Sequence, residues 1–401
     1  MDFYGYMRPN GKAGARNYVL LLPVNRSLNF IASNVERMTR NTRHFEIPAE
    51  TGRTEVDREV IARTLIGLMN NANVGGIVLL AVKSGAGSAY KNMCAERFEE
   101  EAQKPGKPLR IVYLTNVGGS YNMLGETLRL TREVLLEVSD FRRENCPLSA
   151  LTLGVKCGTS DATSGIAGNP CVGAAFDQLI RAGGTAFFSE TTEIIGAEDL
   201  VAKRAVNESV AKKILSAARH WEDKAKATGE DIRKINPIPA NIAAGISSLE
   251  EKSLGAIAKS GTSPIQDVLK YAEMPKGSGL YFVDSWMSSL SLPLCLTACG
   301  ATIMLYQMGG GKIAQHPMMP SINPTVVSPF LYLTGNAVAY SRAPDNFDFD
   351  ASSIMTEGAS IPEMGTKLLE HLSAIASGTM TKMETLNYAE QLELYMEGPV
   401  L

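Results

Sequence analysis

"VKCGTSDATSGIAGNPCVGAAFDQLIRAGG", residues 155–184, is the stretch on which the fold is read. An apolar run ends in the polar cluster Lys156-Cys157-Gly158-Thr159-Ser160-Asp161. Asn169-Pro170 follows, and an amphipathic segment closes on Gly183-Gly184. The order is strand, turn, helix. Asn169 suits an N-cap, and Pro170 suits the first turn, where its missing N–H costs nothing. Gly183 supplies the stop. The turn gathers Lys, Cys, Ser and Asp in one place, which raises the question of what they do there.

Working outward, the same alternation recurs on both sides. Upstream, apolar runs at 18–24, 76–82 and 110–114 predict strands. Helical spacing predicts helices at 28–38, 58–70, 95–103 and 121–143. The pattern restarts near Asn145-Cys146-Pro147. Strands are then expected at 151–155, 185–189, 279–283 and 302–307, with helices at 170–182 and about 197–224. Residues 225–240 read as a polar surface crossing, and the last sixty residues as mostly helical. Strands separated by helices indicate parallel sheets. The expected class is α/β, with two mainly parallel, Rossmann-like, doubly wound domains at 1–146 and 147–401.

Length and composition agree with this. The chain has 401 residues, 45% apolar and 20% charged, as in an ordinary globular protein. A net charge of −3 gives no electrostatic reason to expect nucleic acid or an anionic membrane as partner. No apolar run reaches the ~18 residues of a membrane helix. The polar, Gly-rich start is unlike a signal peptide, so a cytoplasmic location is expected. None of the six cysteines forms a CxxC pair. Apart from Cys157 they are expected to be buried small apolar groups.

In an open parallel sheet, ligands bind beyond the carboxyl ends of the strands. Four predicted strands end in ionisable or Gly-rich turns. After 151–155 comes the 156–161 cluster, and after 185–189 come Glu190 and Glu193. Asp284 and Ser285 follow the third, and Gly309-Gly310-Gly311-Lys312 and His316 the fourth. Polar turns always follow strands, so one or two need no function; four argue for a site. Gly158 and Gly165 let the backbone approach a ligand. Ser160 and Ser164 offer hydroxyls, and a helix N-terminus adds positive potential. Such a place suits an acidic small molecule. Gly85-Ala86-Gly87-Ser88-Ala89-Tyr90 lacks the third glycine of a dinucleotide fingerprint, and no phosphate loop is complete. His316 is the one histidine placed as a candidate.

These motifs resemble the altronate/galactarate dehydratase family of sugar-acid lyases. The resemblance rests on GYMRPNGKAGARNYVLLLPVN (5–25), KCGTSDATSGIAGNPCVGAAFDQLIRAGGTAFFSETTEIIGAE (156–198) and NIAAGISSLEEKSLGAIAKSG (241–261), and less strongly on 361–382. Within the family, the look is of its sulfo-lyase branch. The resemblance implies removal of a proton alpha to a carboxylate, loss of a beta substituent as water or sulfite, and a 2-keto acid product. It implies Lys156 as base, with Asp161, Ser164 and His316 also catalytic. Arg16, Arg26, Ser160, Asn169 and Lys252 would bind the acidic substrate. Cys157, Glu190 and Glu193 would hold a divalent metal, Fe²⁺, Mn²⁺ or Mg²⁺. Sugar-acid members carry a small domain ahead of the residue matched by Gly5. A separate small subunit, or self-association into a homo-oligomer, is therefore expected. Arg26 stands where those members have a cysteine, and 314–324 where they have a cysteine-proline loop. This keeps open a second reading, a diverged non-catalytic member that binds an acidic metabolite or a partner subunit.

Overall fold

The computed structural model describes residues 1–83, 91–310 and 322–387, together with 389, 391 and 393–399. The chain opens with β1 (Asp2–Met7) and β2 (Ala13–Gly14), antiparallel to one another. Then come β3 (Tyr18–Pro23), β4 (Thr42–His44), β5 (Val74–Ala81) and β6 (Leu109–Tyr113), which form a parallel sheet in the order β4-β3-β5-β6. Its helices are α1 (Asn29–Met38), α2 (Glu55–Asn70), α3 (Ala95–Gln103) and α4 (Ser120–Ser139). Alternate strand residues explain how both faces are covered. Leu20, Leu22, Ile77 and Leu79 pack on α2 and α3, while Val19, Leu21, Val78 and Leu80 pack on α1 and α4.

A short strand, β7 (Glu144–Pro147), returns to pair antiparallel with β1. The second sheet follows: β8 (Thr152–Gly158), β9 (Thr185–Phe188), β10 (Ile265–Leu269), β11 (Gly279–Val283), β12 (Ile303–Met308), β13 (Phe330–Thr334) and β14 (Phe349–Asp350). All seven are parallel, in the order β10-β11-β9-β8-β12-β13-β14. One face is covered by α5 (Asn169–Arg181), together with helices further along the chain. The site also uses α6 (Thr191–Ile194), α7 (Glu208–Lys226) and α8 (Leu249–Ile257). The opposite face packs on α9 (Ser291–Ala298), and α10 (Ile361–Ala376) joins α5 on the first face. The two sheets are joined by α2 and α9. A Cβ on Gly67 would lie 2.2 Å from the Ala298 carbonyl oxygen, so that crossing needs glycine.

The expected α/β class with parallel sheets holds. The ribbon β2-β1-β7 was not foreseen, because each strand is short and half polar. The edge strands β4, β10 and β14 and the strand β13 were also not foreseen. The helix expected over 197–224 is broken into Glu198–Ala202 and α7, and Ala205 between them bridges Ile265. The described part of the last sixty residues contains one long helix, α10, single helical turns at Ser353–Thr356 and Lys382–Thr385, the short β14, and otherwise turns and irregular chain. Asn169 does not cap. The helical turn begins straight after Asp161 and passes through a π turn, Ser164–Gly168, into α5. The helix has therefore already started when Asn169-Pro170 is reached. Gly183, at φ 87°, does end it.

Candidate active site

The strand order reverses between β8 and β12, the position at which open α/β sheets form a crevice. The turn after β8 there meets Gly309, which follows β12. A Cβ on Gly309 would lie 2.5 Å from Ser164 Oγ and 2.6 Å from Asp161 Oδ1, so only glycine fits. Two non-glycine residues nearby hold left-handed backbone, Thr159 at φ 48° and Glu190 at φ 75°. Each such residue costs about 1–3 kcal/mol, and such strain clusters at functional sites. The π turn is a second local irregularity of the kind found at such sites.

Side-chain alternation puts Cys157 on the α5 face of β8 and Lys156 on the other. At the strand end both reach the residues that follow β9. Cys157 N donates to Glu190 Oε2 at 3.1 Å, and its thiol lies 3.3 Å from Glu193 Oε2. Lys156 Nζ is 3.4 Å from Glu190 Oε1 and 5.0 Å from the Tyr306 ring centre. Lys259, just past α8, sends its ammonium to 2.5 Å from Glu190 Oε2 and 3.1 Å from Cys157 Sγ. It is also 3.9 Å from Glu193 Oε2. Lys252, on α8, is 3.4 Å from Glu193 Oε1 and donates to Asn236 at 2.7 Å and Asn241 at 3.1 Å. All six charged or thiol groups are buried.

Such burial is tolerable only because the charges face one another. Burial acts to lower the Lys156 and Lys259 pKa values. The charges around each outweigh it and hold both above the ordinary lysine value: Tyr306, Glu190, Glu193 and Cys157 around Lys156, and Cys157, Glu190 and Glu193 around Lys259. Burial acts to raise Glu193, but Lys259, Lys252 and Lys156 bring it below the ordinary carboxylate value. Burial, joined by Glu190 and Glu193, pushes the Cys157 thiol up.

In front of this cluster lies a cavity of about 270 Å³. Its wall includes Ser160, Asp161, Ser164, Asn169 and Lys252. Lys252 thus faces the cavity while its ammonium is tied to the cluster behind. Asp161 accepts from Thr163 Oγ1 at 2.6 Å, Ser164 N at 3.1 Å and Asn336 Nδ2 at 2.9 Å. Asn169 donates to Gly255 O at 2.8 Å, but its Oδ1 is buried without a hydrogen bond, as are both polar atoms of Gln307 on β12. A wider groove of about 800 Å³ runs along the small sheet and has Arg16 and Arg143 in its wall, but it shares no residue with this cavity.

The sequence-predicted residues therefore divide. Ser160, Asp161, Ser164, Asn169 and Lys252 line one cavity, and Cys157, Glu190 and Glu193 lie behind it. Lys156 is not on the cavity wall, and the lowered pKa expected of a lysine base is not what its surroundings produce. Arg16 is elsewhere. Its guanidinium holds Glu384 with two bonds of 2.6 Å and donates to three backbone carbonyls, so it is a tie in the fold. Arg26 is exposed on the turn after β3. His316 lies outside the described residues. Lys259, Asn236 and Asn241 were missed. The signal for Lys259 was its spacing: seven residues after Lys252, it shares a helix face with it.

The Cys157, Glu190 and Glu193 donor atoms all lie within 4.8 Å of one another, a group that could hold a metal ion. The Lys259 ammonium, however, already lies among the three donors. A divalent ion and that ammonium do not fit the same space, because two cations so close repel strongly. The expected ligands converge, but around a lysine.

The chain is doubly wound, with buried charge gathered near its strand reversal, and comparison with known proteins gives its class. Residues 5–139 match the family model "D-galactarate dehydratase/Altronate hydrolase, second domain" and residues 148–399 match "D-galactarate/Altronate dehydratase, C-terminal". The chain belongs to the D-galactarate/altronate dehydratase family and is a lyase. More particularly, it is 32% identical over 394 residues to the (2R)-sulfolactate sulfo-lyase subunit beta of Chromohalobacter salexigens, covering 97% of this chain and 96% of that one. It is 30% identical to the altronate dehydratase of Bacillus subtilis (100% of this chain, 78% of the relative). It is 29% identical to the galactarate dehydratase of Escherichia coli (99% of this chain, 77% of the relative). No described helix is long and apolar enough to cross a membrane.

Proposed function

We propose that the 270 Å³ cavity carries out beta-elimination on a small 2-hydroxy carboxylic acid, releasing water or sulfite and leaving a 2-keto acid. The observation that carries this is Lys252, a residue of the cavity wall whose ammonium is fixed just behind it by Glu193, Asn236 and Asn241. It holds the substrate carboxylate and stabilises the second negative charge that develops there when the alpha proton leaves. Three buried ammoniums against two carboxylates, with the thiol protonated, leave a net positive charge for that purpose. Asp161 is the carboxylate on the inner cavity wall and takes the alpha proton. The freed pair forms the Cα–Cβ double bond as the beta substituent departs with its bonding electrons, either as sulfite or as hydroxide that takes the proton back from Asp161 and leaves as water. The enol then tautomerises to the 2-keto acid. Ser160, Ser164 and the free Asn169 Oδ1 orient the hydroxyls. Lys156 and Glu190 hold the inner end of the cluster. No step is routed through Fe²⁺, Mn²⁺ or Mg²⁺, because Lys259 already lies among the expected ligands.

The leaving groups are those of the relatives' own names, a hydroxyl in the dehydratases and a sulfonate in the sulfo-lyase. The catalytic reading is favoured over binding alone by Lys252 and Asp161 facing one cavity. Ile166 and Leu254, both on the cavity wall, are exposed, which supports a partner at the mouth, either a small subunit or a second copy. All six cysteines are free, which fits a reducing cytoplasm. The proposed domain divide is at 146–147, between the two parallel sheets, and limited proteolysis tests it. For the reaction, the protein is incubated in deuterated water with a panel of 2-hydroxy acids bearing a beta hydroxyl or beta sulfonate. Exchange of the alpha proton and formation of 2-keto acid with one of them supports the reading. Binding of an acid with no exchange, with a small subunit supplied, overturns it in favour of binding alone.

A further inference from the structure

Three donors of the metal-binding type face inward on one point. Cys157 reaches it from the end of β8, Glu190 from the left-handed residue after β9, and Glu193 from α6. What the fold puts at that point is Lys259 Nζ, within 3.9 Å of all three. The approach is not incidental. Gly261, two residues on, has φ 65°, and its Cβ would lie 2.5 Å from the Gly173 carbonyl oxygen and 2.6 Å from Asp177 Oδ1. Asp177 in turn accepts from Thr262 N at 2.9 Å and Ser263 N at 2.9 Å. The backbone beyond Lys259 is thus clamped onto α5 by contacts that tolerate no side chain at Gly261. Lys259 is itself 1% exposed, so its ammonium has no route to water from where it is held.

We propose that Lys259 is the resident cation of the Cys157–Glu190–Glu193 group and excludes a divalent metal from it. Three features support this. An ammonium this deep requires anionic partners, and these donors supply them. A metal would need the lysine to leave, but among the described residues its ion pairs are with Glu190 and Glu193. Adding a divalent ion beside Lys156, Lys252 and Lys259 would also pile positive charge where only two carboxylates offset it. Lys259 is a positioning residue: it fixes Glu190 and Glu193, and through Glu193 it fixes the Lys252 ammonium behind the cavity wall. The inference does not rest on the elimination reading, since its test needs no substrate.

The test is cobalt(II) titration of reduced protein, reading thiolate-to-cobalt charge-transfer absorption and the cobalt retained after desalting. Wild type is expected to retain no stoichiometric cobalt and to show no such band. Lys259→Ala, which opens the point between the donors, is expected to gain both, and adding Cys157→Ser is expected to remove the band again. Lys259→Ser, which opens the same point and can hydrogen-bond the carboxylates, serves if the alanine variant does not fold. A charge-transfer band in wild type that Cys157→Ser abolishes overturns the proposal. So does a folded Lys259→Ala or Lys259→Ser that binds no cobalt, because then Lys259 was not what kept the metal out. If neither variant folds, the wild-type titration decides alone.

Discussion

In the four-stranded sheet the strand order reverses between β3 and β5; in the seven-stranded sheet it reverses between β8 and β12. The topology is the same and the chemistry differs. At the first reversal the charged groups among the described residues, Arg26 and Lys83, are exposed rather than buried. Asn25 Oδ1 accepts from Val82 N at 3.1 Å. At the second, two carboxylates, a thiol and three ammoniums are buried together. A strand reversal is present in both sheets, but among the described residues it is the second that gathers buried charge near its strand ends. Burying that charge has a cost, paid in left-handed backbone at Thr159 and Glu190.

The comparison predicts its largest effect in stability. Glu190→Ala leaves Lys156 and Lys259 facing each other with one anion fewer. Removing one partner of a buried ion pair costs about 3–5 kcal/mol. Asn25→Ala, at the other reversal, loses one ordinary hydrogen bond, worth about 1 kcal/mol. Urea unfolding of both variants measures the difference. Equal losses would mean that the buried charges are not coupled as described.

The second effect is on rate. Lys252→Met is expected to slow alpha-proton exchange by about 10²–10³-fold, the loss seen when one donor to a developing oxyanion is removed. Arg26→Met, at the small-sheet reversal, is expected to leave exchange unchanged. If Arg26→Met slowed exchange as much, the small sheet would contribute to the site after all.

The third separates a tie in the fold from a substrate clamp. Arg16→Lys keeps the charge but loses the fork that holds Glu384 and the Ala15, Ile375 and Thr379 carbonyls. A loss of about 1–3 kcal/mol in unfolding is expected, with the KM for the acid unchanged. A raised KM with unchanged stability would return Arg16 to the role its motif suggests.

How the site was legible follows from these residues. The strand β8 and the helix after it could be read because an apolar run ends abruptly in polar residues. Glu190 and Glu193 could be read because they follow the next such run. The tie between Arg16 and Glu384 could not be read because the two lie 368 residues apart, and no local pattern announces a pair so distant. Asn169 was misread because a helix that passes through a π turn has no start at the residue that looks like a cap. For Lys156, burial could be foreseen, but not the partners that reverse its effect on the pKa. Lys259 could have been found, since a lysine on the same helix face as Lys252, among otherwise apolar residues, is itself a signal.

The smallest effect is on pH dependence, and it belongs to the small sheet. His44 on β4 bonds Glu36 on α1, and Glu46 lies 3.6 Å from its other nitrogen. Burial acts to lower its pKa, but the two carboxylates outweigh it and the value is raised above 6.5. A raised histidine favours the folded state when protonated. This stabilisation is therefore fully present below about pH 6.5 and is lost as pH rises through the folded value. For a half-buried pair near the surface it is worth about 0.2–1 kcal/mol. His371 on α10 works the other way. Burial, with Lys382 adding to it, lowers its pKa, so its contribution is lost as pH falls. The two effects partly cancel in wild type, and a single pH scan would show little. Glu36→Gln isolates the first, since it removes the partner of His44 and leaves His371 untouched. It also removes the Glu36 contact to Arg43 at 3.6 Å, which does not titrate in this range and shifts both ends of the scan alike. The difference in unfolding free energy between wild type and Glu36→Gln should be larger at pH 5.5 than at pH 8.5. A difference that is flat across that range would mean that His44 is not charged by its neighbours, and that the small sheet, like its strand reversal, holds no working charge.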